Sequence, residues 1–351
     1  MLIRPMAQMT SEQITAALNA GIISNAQAKA MLAQLTPDAQ NEATIGNEEN
    51  LRFIRGFSDV FIAIGIGILM LGLASLSFLF GSGIYLIAIA LFAAVMAEYF
   101  GRKKRAHLPT LITALAFLFY TLKGTSHFLS GSPVLAAAIV LIAMSLFYWR
   151  VRLPFCIALI TVSALYLGLA VLKHIAPDFV RHQFGWVMAL GGLITLIGGI
   201  YYDSKDLHRS TRFSDNAFWL HLTAAPLLIH GSVLELVKTQ TTQVLGLVPV
   251  IDVSQGDAVL MLVIVAIVTV IGLVLNRRAL IVSSLFYALI AVGYLLTKSG
   301  VSLTMALTLT LILIGAAIVL LGIGWHPVRN AIIKAVPKSR FIPIPYDSNF
   351  K

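Results

Sequence analysis

The side chains best able to do chemistry lie in one apolar segment, residues 217–237, which contains His221, Thr223, Pro226 and His230. His230 follows the start of that segment by roughly 20 Å of helix, at ~1.5 Å per residue, which is membrane-interior depth. Pro226 frees the carbonyl four residues earlier and predicts a kink. A freed carbonyl, a hydroxyl and two imidazoles together predict a polar intramembrane site.

A structural role is the alternative for both histidines. His221 and His230 are nine residues apart, about 900° of helical rotation, so they point to opposite faces unless the kink rotates one of them. That spacing is not the i, i+4 spacing of a metal pair. An interhelical hydrogen bond is the favoured interpretation for His221, while for His230 it stands beside ligand or proton handling.

Other ionisable residues at membrane depth are few. Asp59 and Glu98 fall close to helix ends, near Arg55 and Arg102 in sequence, and predict interfacial ion pairs. The remaining charges expected on the same membrane face are Arg102, Lys103, Lys104, Arg105, Arg277 and Arg278.

The composition predicts a membrane protein. The chain has 351 residues, of which 58% are hydrophobic and 11% charged, and its mean hydropathy is +0.90. A soluble domain has about 25% charged residues. These values exclude a disordered chain, and the single cysteine, Cys156, excludes an intramolecular disulfide and a Cys-based zinc site.

Ten apolar segments approach the roughly 20 residues that a transmembrane helix needs. They cover residues 57–80, 84–100, 108–122, 134–149, 155–172, 184–201, 217–237, 258–275, 279–296 and 302–324. The expected fold is therefore an all-α polytopic membrane protein with about ten transmembrane helices and a small N-terminal helical hairpin.

The placement of the basic residues predicts orientation. With the N-terminus inside, 20 of the 25 Lys and Arg residues fall on inner segments, alternating loop after loop. This positive-inside pattern predicts cytoplasmic N- and C-termini. It also accounts for the net charge of +10, with anionic inner-face lipids as the expected partner rather than nucleic acid.

The predicted organisation is a cytoplasmic hairpin and linker at 1–50, a membrane domain at 51–325 and an interfacial helix with an extended tail at 326–351. Thr10 with Gln13, and Ser24 with Gln27, form capping-box patterns, and Gly21 is a helix stop between them. The hairpin is too small to be stable alone, so residues 11–35 are expected to dock on the membrane domain, a protein partner or a second copy.

Two further patterns concern packing. In the C-terminal helix, apolar residues fall opposite Arg329 and Lys334, which predicts a helix lying in the interface. Glycines seven residues apart, at 191–192 and 198–199 and again at Gly65 and Gly72, predict close helix packing, with substrate clearance as the alternative.

Motifs for enzymatic chemistry are not found. The sequence has no Gly-x4-Gly-Lys phosphate loop and no His-Glu-x2-His zinc motif, and no acid, base and nucleophile cluster is visible. We therefore expect neither enzymatic activity, a cofactor nor a bound metal.

Several short segments resemble one family. They are 17–24 with Gln27; 218–222 with Ala225, Pro226 and His230; 277–280 with 282–284; and 324–329. These segments resemble the bacterial predicted membrane proteins of domain of unknown function 2157. The resemblance implies a bacterial inner-membrane location and supplies neither an activity nor catalytic residues.

The sequence is compatible with two functions. The first is a transporter or channel for a small molecule or lipid, with a site near the kinked seventh helix, which requires a polar cavity reaching His230 or Pro226. The second is a non-enzymatic scaffold or sensor that recruits a partner through its N-terminal hairpin, which requires tightly closed helices.

Overall fold

The computed structural model describes residues 14, 17, 18, 22–24, 27, 56–80, 83–206, 211–236, 243–245, 248–250 and 254–335. The chain divides into two units. One comprises Met1–Asn50 with Tyr346–Lys351, and the other comprises Leu51–Pro345.

The larger unit is an all-α polytopic membrane domain, as predicted. Its described residues include ten helices long and apolar enough to cross a membrane. In chain order these helices, here called the first to tenth spans, are Phe57–Phe80, Gly83–Glu98, His107–Phe128, Pro133–Val151, Phe155–Ile175, Phe184–Lys205, Arg212–Leu236, Gln255–Leu275, Ala279–Lys298 and Leu303–Ile323.

Several spans are longer than their apolar segments. The third span continues to Phe128, the sixth to Lys205, and the seventh begins at Arg212. Hydropathy marks only the hydrocarbon core, whereas helices continue into the headgroup layer, where polar side chains are solvated. This extension brings Asp203 into the last turn of the sixth span.

Shorter elements lie between and after the spans. The second span ends in a π-helical turn, Tyr99–Lys103, and a six-residue helix, Pro177–His182, precedes the sixth span. Two antiparallel strands, Gln243–Leu245 and Val248–Val250, form a hairpin that we did not predict. These strands are only three residues each, too short to show a period-two hydrophobic pattern.

The C-terminal helix, Trp325–Ala335, forms as predicted, but its orientation differs. Trp325, Arg329 and Ile333, spaced four residues apart, are its buried face. Arg329 is 1% exposed, and its Nε donates to the carbonyl of Leu273 at 3.1 Å. The expected polar face is therefore partly an inward face, because Arg329 caps the end of the eighth span.

Four apolar clusters of described residues form the core of the bundle, and the smallest joins the eighth and ninth spans to the C-terminal helix. One joins the first three spans around Met70 and Tyr120, and a second joins the second to fifth spans around Met144 and Cys156. The third joins the sixth to ninth spans around Ile229 and Met261. Helix packing, rather than any single contact, thus holds the polar residues described below.

The described residues of the smaller unit include the predicted cap formed by Ser24 and Gln27. The amide of Gln27 donates to Ser24 Oγ at 3.3 Å, and the amide of Ser24 donates to Gln27 Oε1 at 2.9 Å. The amide of Ile22 donates to the carbonyl of Ala17 at 2.9 Å, as in a Schellman helix ending. The pair Thr10 and Gln13, the linker and the C-terminal tail lie outside the described residues.

Candidate functional site

A buried charge network connects two spans with the joint between two others. Asp203 in the sixth span accepts a hydrogen bond from His221 Nε2 in the seventh, at 2.8 Å. Arg277, in the joint between the eighth and ninth spans, donates from Nε to the same carboxylate oxygen at 3.2 Å. Its Nη2 contacts the second carboxylate oxygen, which makes the pair bidentate.

The three side chains of this network are buried, so their charges lose most of their hydration and depend on one another. Asp203 is 5% exposed, Arg277 2% and His221 0%. Arg277 Nη2 lies 3.4 Å from the carbonyl and 3.3 Å from the hydroxyl of Ser214, which supply further acceptors. A buried ion pair recovers its desolvation cost only with such geometry and additional hydrogen bonds.

The joint that carries Arg277 is held by a helix cap. Asn276 has the left-handed backbone, with φ 53°, and the amide of Arg277 donates to the carbonyl of Gly272 at 2.8 Å. Trp325 Nε1 donates to Asn276 Oδ1 at 2.8 Å. The C-terminal helix therefore fixes the joint from which Arg277 reaches Asp203.

Arg278 has a different environment from its neighbour. Its guanidinium lies over the Trp325 ring, 5.2 Å from the centroid, and the residue is exposed. We expected both Arg277 and Arg278 to be charges on the membrane face. The membrane face of both residues stays a prediction, but the Arg277 side chain is buried, because the short joint turns it inward toward Asp203.

Glycines of the sixth span create the space for the seventh. A Cβ at Gly199 would lie 2.8 Å from His221 Cε1, and one at Gly192 would lie 2.6 Å from the backbone nitrogen of Leu228. The packing interpretation is confirmed at these two positions. At Gly65 and Gly72, on an exposed face of the first span, a Cβ would meet nothing within 4 Å among the described residues, so no described helix packs there.

A second polar contact lies deeper in the seventh span. His230 Nδ1 is hydrogen bonded to the hydroxyl of Tyr287 in the ninth span. Tyr287 belongs to an apolar cluster with Ile229, Val233 and Met261. The His230–Tyr287 pair is thus an interhelical hydrogen bond within a predominantly apolar environment.

The four residues of the predicted polar site have different partners. Thr223 donates to the carbonyl of Trp219 in its own helix at 2.8 Å, and Pro226 lies on an exposed side of the span. His221 binds Asp203, whereas His230 binds Tyr287. The structure therefore contains two separate polar contacts, on different faces of the seventh span.

The other predicted charges lie at the ends of the spans. Glu98 accepts hydrogen bonds from Arg102 at 2.9 Å and from Arg150 at 2.8 and 3.0 Å. Its predicted pairing is confirmed, with Arg150 as an additional partner. Asp59 is 9% exposed, and its expected partner, Arg55, lies outside the described residues.

The neighbouring lysines contact an aromatic ring. Lys103 and Lys104 place their ammonium groups 5.7 and 6.0 Å from the centroid of Tyr99. Arg105, next in sequence, lines a cleft with other arginines. These residues cluster at one end of the bundle, here called the basic end, together with the Glu98–Arg150 pair.

Asp203 was not among the residues singled out from the sequence. The apolar segment ends at Tyr201, which predicts that Asp203 lies in a polar joint. Its position one helical turn after Gly199, on the glycine face that packs on the seventh span, is the signal that could have identified it. No cluster of three His, Cys, Asp or Glu that could hold a metal ion occurs in the part of the chain that the structure describes.

The fold and these contacts define the class: an α-helical, multi-pass membrane protein with a buried charge network at one end of its bundle. Comparisons with protein-family models, curated proteins and solved structures found no match.

Proposed function

We propose that the protein resides in the bacterial inner membrane with both termini in the cytoplasm, as a member of the family of domain of unknown function 2157. The 20 basic residues on alternate segments support this orientation. Under it, the basic end faces the cytoplasm and its anionic lipids. A C-terminal reporter that is active only outside the cytoplasm should therefore be inactive.

The proposed activity is non-enzymatic transport of a small molecule or lipid through a path along the seventh span. The observation that carries this proposal is the Asp203–His221–Arg277 network. An apolar core of similar volume is often at least as stable as a buried ion pair, so burying these charges is difficult to explain by stability alone. The buried charges would have a function if the network opens and closes during transport.

In this proposal the network is the inner gate in its closed state. Asp203 and His221 join the sixth and seventh spans, and Arg277 holds both to the joint of the eighth and ninth spans. Opening would separate Arg277 from Asp203 and admit water toward His230 and Tyr287. Those two residues would then contact the substrate or exchange a proton with it.

Accessibility of a single cysteine tests this proposal without a known substrate. Cys156 is fully buried and is replaced by alanine, and Ala291→Cys is introduced one turn after Tyr287. Charges are removed in pairs, as Asp203→Asn with Arg277→Gln, so that neither remains buried alone. Labelling by a membrane-impermeant maleimide should be slow with the intact network and faster without it.

Leu190→Cys is the matched control. Leu190 is 57% exposed on the sixth span, where it should face lipid, so the polar reagent should not label it in either background. If Ala291→Cys remains unlabelled after the charges are removed, the gate and the transport path are both contradicted.

That negative outcome would favour the alternative function, a scaffold or sensor. Close packing supports this alternative, because the backbone of Gly231 lies so near the sixth span that a Cβ would be 2.4 Å from the amide nitrogen of Ala189. The capped helix at Ser24 would belong to the hairpin that recruits a protein partner or a second copy through residues 11–35.

A further inference from the structure

The basic end contains a cleft that the charge network does not use. It has a volume of about 870 Å³. Five arginines line it, from the ends of the second and fourth spans, the joints that follow them and the start of the seventh span: Arg102, Arg105, Arg150, Arg152 and Arg212. A second cavity of about 530 Å³ shares Trp149, Arg152 and Arg212 with it.

The charges in this cleft are only partly neutralised. Glu98 pairs with Arg102 and Arg150. Among the residues described, no carboxylate forms an ion pair with Arg105, Arg152 or Arg212. Three guanidinium groups therefore converge on one open volume without an anionic partner from the described chain.

The backbone conformation of two of these arginines gives a second, independent indication that the cleft is a binding site. Arg105 and Arg152 have φ of 53° and 54° and, with Asn276, are the described non-glycine residues with positive φ. Glycine adopts this conformation without steric cost, whereas a residue with a Cβ does not. Arginine at both positions, each lining the same cleft, indicates that the side chains are needed there.

The local fold directs these arginines into one place. The π-helical turn Tyr99–Lys103 ends the second span beside the fourth, and a Cβ at Gly101 would lie 3.1 Å from Val151 Cγ1. Arg152 is the C-cap of the fourth span. π-turns of this kind are frequent at functional sites.

We propose that this cleft binds the phosphate group of an anionic ligand. The planar guanidinium matches phosphate oxygens bidentately, which makes arginine the preferred residue for such groups. Trp149 is 69% exposed at the rim, where an aromatic ring suits the headgroup level of a bilayer. The phosphate belongs either to a lipid headgroup or to a soluble phosphorylated compound.

This proposal does not depend on transport, because a protein that carries nothing could still bind the phosphate. The test uses the purified full-length chain in neutral detergent, and tryptophan fluorescence reports binding near Trp149. The probes are inorganic pyrophosphate, dihexanoyl phosphatidylglycerol below its micellar concentration, and dihexanoyl phosphatidylcholine as the zwitterionic lipid control.

Replacement of Arg105 and Arg152 by glycine separates the loss of the guanidinium groups from a loss of stability. Arg105→Gly with Arg152→Gly removes two guanidinium groups and relieves the backbone, so the melting temperature should stay the same or rise. Affinity for the bound probe should fall about tenfold for each charge-assisted hydrogen bond that the substitution removes. Arg212→Gln, in the first turn of the seventh span, repeats the test without a backbone effect.

Arg181→Gln is the matched control, because Arg181 is a basic residue of the short helix before the sixth span and lines neither cavity. Binding of pyrophosphate alone would identify a soluble ligand, and binding of phosphatidylglycerol alone would identify a lipid headgroup. The proposal is overturned if neither probe binds, if phosphatidylcholine binds equally well, or if the cleft variants bind like Arg181→Gln.

Discussion

Asp203 and Arg277, 74 positions apart in the chain, form a bidentate ion pair inside the bundle. Their side chains are 6% and 2% exposed. The pair connects the end of the sixth span with the joint after the eighth, and His221 extends it to the seventh. A single carboxylate therefore fixes the sixth and seventh spans to the joint between the eighth and ninth.

Removing only one charge of this pair should be strongly destabilising. Asp203→Asn leaves Arg277 buried without its counter-ion, and such losses cost about 3–5 kcal/mol. Thermal unfolding in detergent, followed by tryptophan fluorescence, measures the effect. The double variant Asp203→Asn with Arg277→Gln should be more stable than Asp203→Asn alone. If the stability losses of the two single variants simply add in the double variant, the two side chains are not energetically coupled and the prediction is contradicted.

Gly199→Ala should break the same network by steric displacement. The added methyl group would lie 2.8 Å from His221 Cε1 and 3.0 Å from Nδ1, so the imidazole has to move away from Asp203. We expect a lower melting temperature than for Gly198→Ala, whose Cβ meets Leu220 at an ordinary 3.7 Å. Equal melting temperatures would show that the imidazole relocates without loss.

The deeper pair should contribute less to stability. Interhelical hydrogen bonds in membranes average about 0.6 kcal/mol, so Tyr287→Phe should lower stability only slightly. His230→Phe should also lower stability only slightly. The double variant His230→Phe with Tyr287→Phe should lose less stability than the sum of the two single losses. Thr223→Val is the control, since its hydroxyl bonds only within its own helix. A large loss from His230→Phe would indicate a mainly structural role.

Orientation can be tested at two exposed residues on opposite ends. Lys104→Cys lies at the basic end, and Lys173→Cys lies in the last turn of the fifth span. Each variant is expressed in intact cells with Cys156 of the protein replaced by alanine. A membrane-impermeant maleimide added outside should label Lys173→Cys and should not label Lys104→Cys. The reverse pattern would mean that the positive-inside assignment is inverted.

The sequence predicted the architecture well because membrane spans depend on long apolar segments and alternating basic joints. It did not predict the Asp203–Arg277 pair, since contacts between distant helices leave no local periodicity. The same limit applies to His230, whose partner Tyr287 lies 57 positions away. The cap at Ser24 and the pairing of Glu98 with Arg102 were predictable because both depend on residues three or four apart.

Arg329 and the first-span glycines show why local patterns mislead. Arg329 lies on the side of its helix expected to be polar, yet it reaches the carbonyl of Leu273. Gly65 and Gly72 share the spacing of Gly192 and Gly199, yet they lie on an exposed face. In both cases the neighbouring helix, rather than the spacing, decides what the residue contacts.

The distance between the sixth span and the C-terminal helix tests the gate most directly. Spin labels at Lys205→Cys and Lys334→Cys, both exposed positions, report that distance by pulsed electron paramagnetic resonance in lipid nanodiscs, with Cys156 replaced by alanine. A closed gate predicts one narrow distribution with the network intact, and its opening predicts an added longer distance when Asp203 and Arg277 are both neutralised. An identical single distribution in both proteins would contradict the gate.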